Sequence, residues 1–304
     1  EKIELADNMV EILSDYEKFC NQQSLSPLGT LRSRKRDIVR FLHYLETQGF
    51  STAEKIRAPT LFQFIRSCAH LKPATLARMV SSIRSFLRYL CMRGFINSSL
   101  VEDMPTIRVR PDERIPSVWK SENVDMLLAA IDRNSPCGKR DYAILLLAVR
   151  LGMRVSDIRN LCFENLLWER ARIEIEQTKG GTPLALPMTE EIGNAIIDYL
   201  RHGRPESEHR EIFLRANAPF NPFSYNNNLH YIITRYRQKA GISLPVQNRR
   251  GMHSLRHTVA SRLLEANVAL ETISGIMGHL SLETTRIYTK IDIEALRSVA
   301  IDPE

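Results

Sequence analysis

The sequence predicts a mainly helical, α+β chain of two domains, and three observations carry that reading. Apolar residues recur at helical spacing through the first third with almost no strand signal. A proline-rich segment interrupts the pattern at 105–116, and a single β-hairpin pattern stands inside an otherwise helical second part. In the first part Leu5, Met9, Ile12, Leu13, Tyr16 and Phe19 form one apolar stripe, and Leu31, Ile38, Leu42 and Leu45 form a second that Gly49 ends. Leu61, Phe64, Ile65 and Cys68 predict a third helix. Leu76, Met79, Val80, Ile83, Phe86, Leu87 and Leu90 predict a fourth that stops near Gly94. These make a four-helix domain over 1–104. Pro105, Pro111 and Pro116, among alternating Arg and Asp, resist helix and strand alike, so 105–116 reads as a linker. The second domain, 117–304, opens with a helix that Ser121 can cap, through Val124, Leu127 and Leu128. The run Tyr142 to Val149 is apolar nearly all round, as a buried central helix is, and Gly152 stops it. Ile173 and Ile175 alternate with charged residues, Gly180 and Gly181 offer a tight turn, and Leu184 and Leu186 resume the alternation: a hairpin. Thr189, followed by Glu190 and Glu191, starts another helix with acids at its positive end.

Composition narrows the class of partner. With 304 residues, 43% hydrophobic and 25% charged, the chain can bury two cores and is neither disordered nor fibrous. The longest apolar run is far below the roughly 20 residues of a membrane span, and Glu1 opens no signal peptide, so a cytoplasmic protein is expected. Cys20, Cys68, Cys91, Cys137 and Cys162 are odd in number and scattered, which predicts reduced thiols, with neither a disulfide framework nor a cysteine zinc site. The formal charge of +7 points to a polyanion, and the excess is local. Residues 1–110 hold 17 Lys and Arg against 11 Asp and Glu; the remainder holds 25 against 24. Arg32, Arg34, Lys35, Arg36 and Arg40 crowd one helix and are the candidate phosphate-backbone contacts, with a solvated helix face as the alternative.

The chemistry concentrates in three strings. HSLRH places His253, Arg256 and His257 at i, i+3 and i+4, on one helix face. A guanidinium between two histidines is a poor core and a good anion site. His253, His257 and His279 also have zinc-compatible spacing, but the HExxH glutamate is absent and Arg256 repels a dication, so the pattern favours an anion over a metal. LGMRVSDI puts Arg154 between a helix stop and a Ser156 N-cap, where a second guanidinium can join the first, and Lys179 stands at the tip of the hairpin. Downstream, GHLSLETTRIYTK carries His279, a Ser281 cap and Tyr288.

The order Arg154, Lys179, His253 with Arg256, His279 and Tyr288 closely resembles that of the tyrosine recombinases, the phage integrase family that includes Xer- and Cre-like site-specific recombinases. The resemblance spans nearly the whole chain, and the RVSDI, HSLRH and GH to TTRIY segments make it specific. It implies a helical core-binding domain, a linker and a catalytic domain. It carries the active-site positions onto Arg154, Lys179, His253, Arg256 and His279, and the nucleophile onto Tyr288. Asp157 matches an acidic position that supports the first arginine, and His257 a structural companion. The implied activity is cleavage and rejoining of double-stranded DNA through a 3′-phosphotyrosine, with no cofactor and no metal. Four protomers on two sites, each C-terminal tail docking on its neighbour, are the implied assembly. A type IB topoisomerase or telomere resolvase shares this chemistry, and a non-enzymatic DNA-binding protein is the alternative from another class. The short KGG turn departs from longer lysine hairpins of the family.

Overall fold

A computed structural model describes residues 5–23, 28–50, 52–109, 117–244 and 251–278. The chain divides into two compact units, 1–113 and 114–304.

In the first unit four long helices, α1 (Asp7–Gln22), α2 (Leu28–Thr47), α3 (Ala58–Ser67) and α4 (Pro73–Met92), are followed by one short turn of helix, α5 (Ser99–Glu102). Gly49 and Gly94, both at positive φ, lie just past α2 and α4, the turn conformation that glycine adopts without steric cost. The predicted stripes close one core, in which Met9, Tyr16, Ile38, Phe41, Leu42, Leu45, Phe86 and Leu90 are buried. Asp37, also buried, fixes how α2 meets α4: its carboxylate accepts from Arg78 and from the Ser82 hydroxyl at 2.8 Å. The front of the predicted linker belongs to this unit, since Ile107 packs on its core and Arg84 donates to the Met104 and Pro105 carbonyls at 3.1 and 3.0 Å.

The second unit is built around α7 (Pro136–Leu151). Ser135 caps it by accepting from the Gly138 N–H at 3.1 Å, and every residue from Ala143 to Val149 is buried. Before it runs α6 (Ser121–Ala129), and after it α8 (Val155–Arg159), α9 (Glu190–His202), α10 (His230–Lys239), α11 (Met252–Glu265) and α12 (Leu270–Met277). Between α8 and α9 stands a three-stranded antiparallel sheet, β1 (Leu166–Leu167), β2 (Arg172–Glu176) and β3 (Pro183–Pro187), in the order β1-β2-β3. The hairpin pairs Ile173 with Leu186 and Ile175 with Leu184, and its alternation buries Ile173 and Ile175 against the helices. Strand β1, two residues long, is too short to leave a periodic signal.

Two capping expectations need correction. Ser121 is the first helical residue and makes no cap; Lys120 holds the N-cap position with extended backbone. Likewise α8 starts at Val155, so Arg154 itself is the N-cap residue and Ser156 lies inside the first turn, its hydroxyl donating to Asp157 at 3.2 Å. Thr189 does cap α9, accepting from the Ile192 N–H. The Ser281 cap lies outside the described residues.

Candidate active site

The site is organised by the end of one helix. The last carbonyls of an α-helix have no partner within it, and α12 stops at Gly278, which takes a left-handed φ of 56°. Two arginines from elsewhere in the sequence supply the missing donors. Arg154 donates through Nη2 to the Gly278 carbonyl at 2.8 Å, and Arg256 donates to the Met277 carbonyl and to the Gly152 carbonyl. Residues separated by about a hundred positions thus meet around a two-residue stretch of main chain.

Each arginine reaches that point for a local reason. Gly152 ends α7 in the left-handed conformation with φ 60°, and a Cβ there would lie 2.9 Å from the Met277 side chain, so only glycine fits the turn that aims Arg154. Arg256 is in the second turn of α11, only 4% exposed, with Ser254, Leu255, Thr258 and Val259 buried around it. The same helix is held by Trp119, buried at 2% exposure, whose indole donates to the Ser254 hydroxyl at 2.8 Å and whose N–H donates to the Thr258 hydroxyl at 2.9 Å. His253 is exposed in the first turn of α11, where the helix dipole favours negative charge, and its ring lies 6.5 Å from that of half-buried His257.

Lys179 is exposed in the turn between β2 and β3, with Gly180 and Gly181 both at positive φ. Asp157 connects this turn to the arginine. Its buried carboxylate accepts from the Thr178 N–H at 3.0 Å, and its own N–H donates to the Arg154 carbonyl at 2.9 Å. The expected support of the first arginine by this carboxylate takes a different form: Asp157 grips the lysine turn, and its link to Arg154 is main chain. His279 and Tyr288 lie outside the described residues.

Sequence reasoning passed over several buried polar residues of this unit. Gln177, 2% exposed, directly follows β2 and precedes the turn. Arg159, buried in α8, donates to the Tyr225 and Asn227 carbonyls, and burial lowers its pKa. Within α7, Arg140 forms an ion pair with fully buried Asp141 at 2.7 Å, and the Tyr236 hydroxyl donates to the same carboxylate at 3.1 Å. Burial, then the Asp141 charge, pushes Tyr236 up to about 12. None of these carried a motif; Gln177 offered only its place beside Lys179.

In the first unit, Arg32, Arg36 and Arg40 recur at i, i+4 and i+8 along α2 and are exposed together. Lys35 is exposed too, with its ammonium 2.8 Å from Glu17, and Arg34 is half-buried.

Known proteins with the same pattern decide the assignment. The phage integrase family profile matches residues 118–294, and the phage integrase N-terminal SAM-like domain matches residues 14–94. The chain belongs to the phage integrase family, the tyrosine recombinases. Within it, the chain is 34% identical over 268 residues to y4rA of Sinorhizobium fredii, named as an integrase/recombinase, covering 88% of this chain and 64% of that protein. To the tyrosine recombinase XerA of Thermococcus kodakarensis it is 28% identical over 295 residues, 94% of this chain and 93% of the relative. Among solved structures, XerH bound to a palindromic difH substrate matches over 95% of this chain and 84% of that one with a TM-score of 0.70 at 20% identity. A λ integrase tetramer on a Holliday junction matches over 91% and 78% with a TM-score of 0.64, also at 20% identity. Both likenesses concern the fold: a mainly helical chain with a small antiparallel sheet.

Proposed function

We propose that this phage integrase family member is a site-specific DNA recombinase that cleaves and rejoins strands through a phosphotyrosine at Tyr288, serving integration, excision or resolution of DNA elements. The observation that carries the reading is the convergence of Arg154 and Arg256 on the Met277–Gly278 carbonyls, beside a lysine turn tied to the same corner by Asp157. Two guanidinium forks held by main chain suit the charge that builds on a pentacovalent phosphorus, and they do so without a metal.

In the proposed reaction the Tyr288 hydroxyl gives its proton to His253 as its oxygen attacks the scissile phosphorus. The bond from phosphorus to the 5′ oxygen breaks, and that oxygen takes a proton from the Lys179 ammonium. Arg154 and Arg256 hold the non-bridging oxygens, and His279 donates to one of them. The new ester conserves the energy of the old one, so a 5′ hydroxyl from another strand reverses the step and no ATP is needed. His257 is the structural companion of His253 in this reading.

Double-stranded DNA is the partner, and the exposed stripe of Arg32, Arg36 and Arg40 is its candidate backbone contact. Like charges at i, i+4 spacing weaken an isolated helix, a cost that a polyanion offsets. Four protomers are expected on two sites, with Ile293, Leu296 and Val299 or Ala300 of each tail docking on a neighbour, in the cytoplasm.

The test is trapping of a denaturation-resistant protein–DNA adduct. Tyr288→Phe is expected to bind DNA and form none. Lys179→Ala is expected to cleave about 100-fold to 10,000-fold more slowly, and to recover on DNA whose 5′ bridging oxygen is sulfur, because a thiolate leaves without a proton. An adduct formed by Tyr288→Phe overturns the reading.

A further inference from the structure

We infer that Gln177 is a further residue of the phosphate site, its carboxamide donating to a non-bridging oxygen of the scissile phosphate alongside Nη1 of Arg154; this rests on the recombinase reading above. Gln177 has the wrong polarity for its place in the fold. Along β2 and its continuation Ile173, Ile175 and Gln177 point inward in alternation, so Gln177 holds a position that an apolar side chain would fill at less cost. It is 2% exposed, and among the described residues neither Nε2 nor Oε1 has a hydrogen-bond partner. Leaving such a group unpaired forfeits its hydration with nothing in return, and native chains rarely keep one without a use.

Its surroundings indicate the use. The carboxamide lies over the Cα of Gly278, so closely that a Cβ on Gly278 would stand 1.9 Å from Nε2. The carbonyl of that same glycine receives Nη2 of Arg154, whose other terminal nitrogen, Nη1, is also buried and without a partner among the described residues. Two unsatisfied N–H donors therefore share one glycine, beside the corner where Arg256 is anchored. A pair of buried donors with nothing to give to is the arrangement an anionic oxygen completes. The main chain of Gln177 closes the lysine turn as well: its N–H donates to the Thr182 carbonyl at 3.0 Å, and its carbonyl accepts from Gly181 at 3.1 Å. A phosphate held by the Gln177 amide is thereby registered against the turn that carries Lys179.

The experiment compares wild type with Gln177→Met, which keeps the length and removes both polar atoms. The probe is nicked duplex DNA of a sequence recovered by covalent capture on the wild-type protein. It carries at the cleavage position either the ordinary phosphate or one of the two methylphosphonate stereoisomers. On the phosphodiester the variant is expected to form adduct about 100-fold to 1,000-fold more slowly, the scale for loss of one oxyanion donor. On the stereoisomer that lacks the contacted oxygen, variant and wild type should react about equally, and on the other the deficit should persist. Gln177→Glu, which replaces the donor with a carboxylate, should be slowed at least as much on the phosphodiester. The melting temperature of Gln177→Met should equal or exceed that of wild type, because two unpaired polar atoms are gone. An equal deficit on all three DNAs, or a lowered melting temperature that accounts for it, would mean a packing role and overturn the assignment. Failure of wild type to form any adduct would overturn the recombinase reading, and this one with it.

Discussion

Replacing Gly278 with alanine tests the turn on which both arginines depend. The residue has φ 56°, and an L-residue there costs about 1–2 kcal/mol relative to glycine. The added methyl would meet the Gln177 carboxamide at 1.9 Å, so that side chain or the turn must move; overpacking of this kind costs about 1–3 kcal/mol. The clashing atoms are the end of a flexible side chain, so the lower part of that range applies and the total is about 2–3 kcal/mol. Urea denaturation of Gly278→Ala should show a lower midpoint with an unchanged slope. Adding Gln177→Ala removes the obstruction but not the backbone strain, so the pair should be less destabilised than the sum of the two single variants. Strict additivity, or a midpoint equal to wild type, would refute this account of the turn.

Asp157→Ala removes the acceptor of the Thr178 N–H, so adduct formation should slow while Tyr288-independent DNA binding holds; rescue by 5′ bridging sulfur DNA would locate the defect at Lys179, and no rescue would place it elsewhere. Neutralising Arg32, Arg36 and Arg40 together should reduce the slope of log K against log salt by roughly 0.9 for each DNA phosphate that the protein no longer neutralises, read by fluorescence anisotropy across a salt series. An unchanged slope would make the stripe a solvated face. Tyr236→Phe tests the buried Asp141 cluster through pH. The folded hydroxyl titrates at about 12, above its unfolded value, so its contribution is present below the unfolded value and is lost as pH rises through 12. The stability difference between wild type and Tyr236→Phe should shrink over that window in denaturant titrations, and a difference that grows would contradict it.

The helices of both units were legible because each presents an apolar stripe at constant spacing, and Tyr142 to Val149 because burial on every side leaves no polar residue in the run. Capping was less legible. Ser121 and Ser156 have the right chemistry, yet the backbone turns one or two residues earlier, and a cap depends on that turn rather than on the side chain alone. Of the site, Arg154, Lys179, Asp157, His253 and Arg256 could be named from local strings, whereas their anchors could not. The carbonyls of Gly152, Met277 and Gly278 have no side-chain signature, and Gln177 looks from sequence like one more polar residue near a turn. The bond from the Thr178 N–H to Asp157 was not legible either, since spacing shows which helix a carboxylate is on but not which N–H it meets.

That the arginines are fastened to main chain inverts the usual map of mutational sensitivity. A side-chain scan through Met277 leaves untouched the oxygen that Arg256 grips, and no substitution at Gly278 removes its carbonyl. What disturbs the pose is a change in the path of the chain: a residue that refuses the left-handed turn at Gly152 or Gly278, or an insertion that shifts where α12 ends. The position of the two guanidinium groups is thus written in the shape of a helix terminus, a feature that no single side chain encodes.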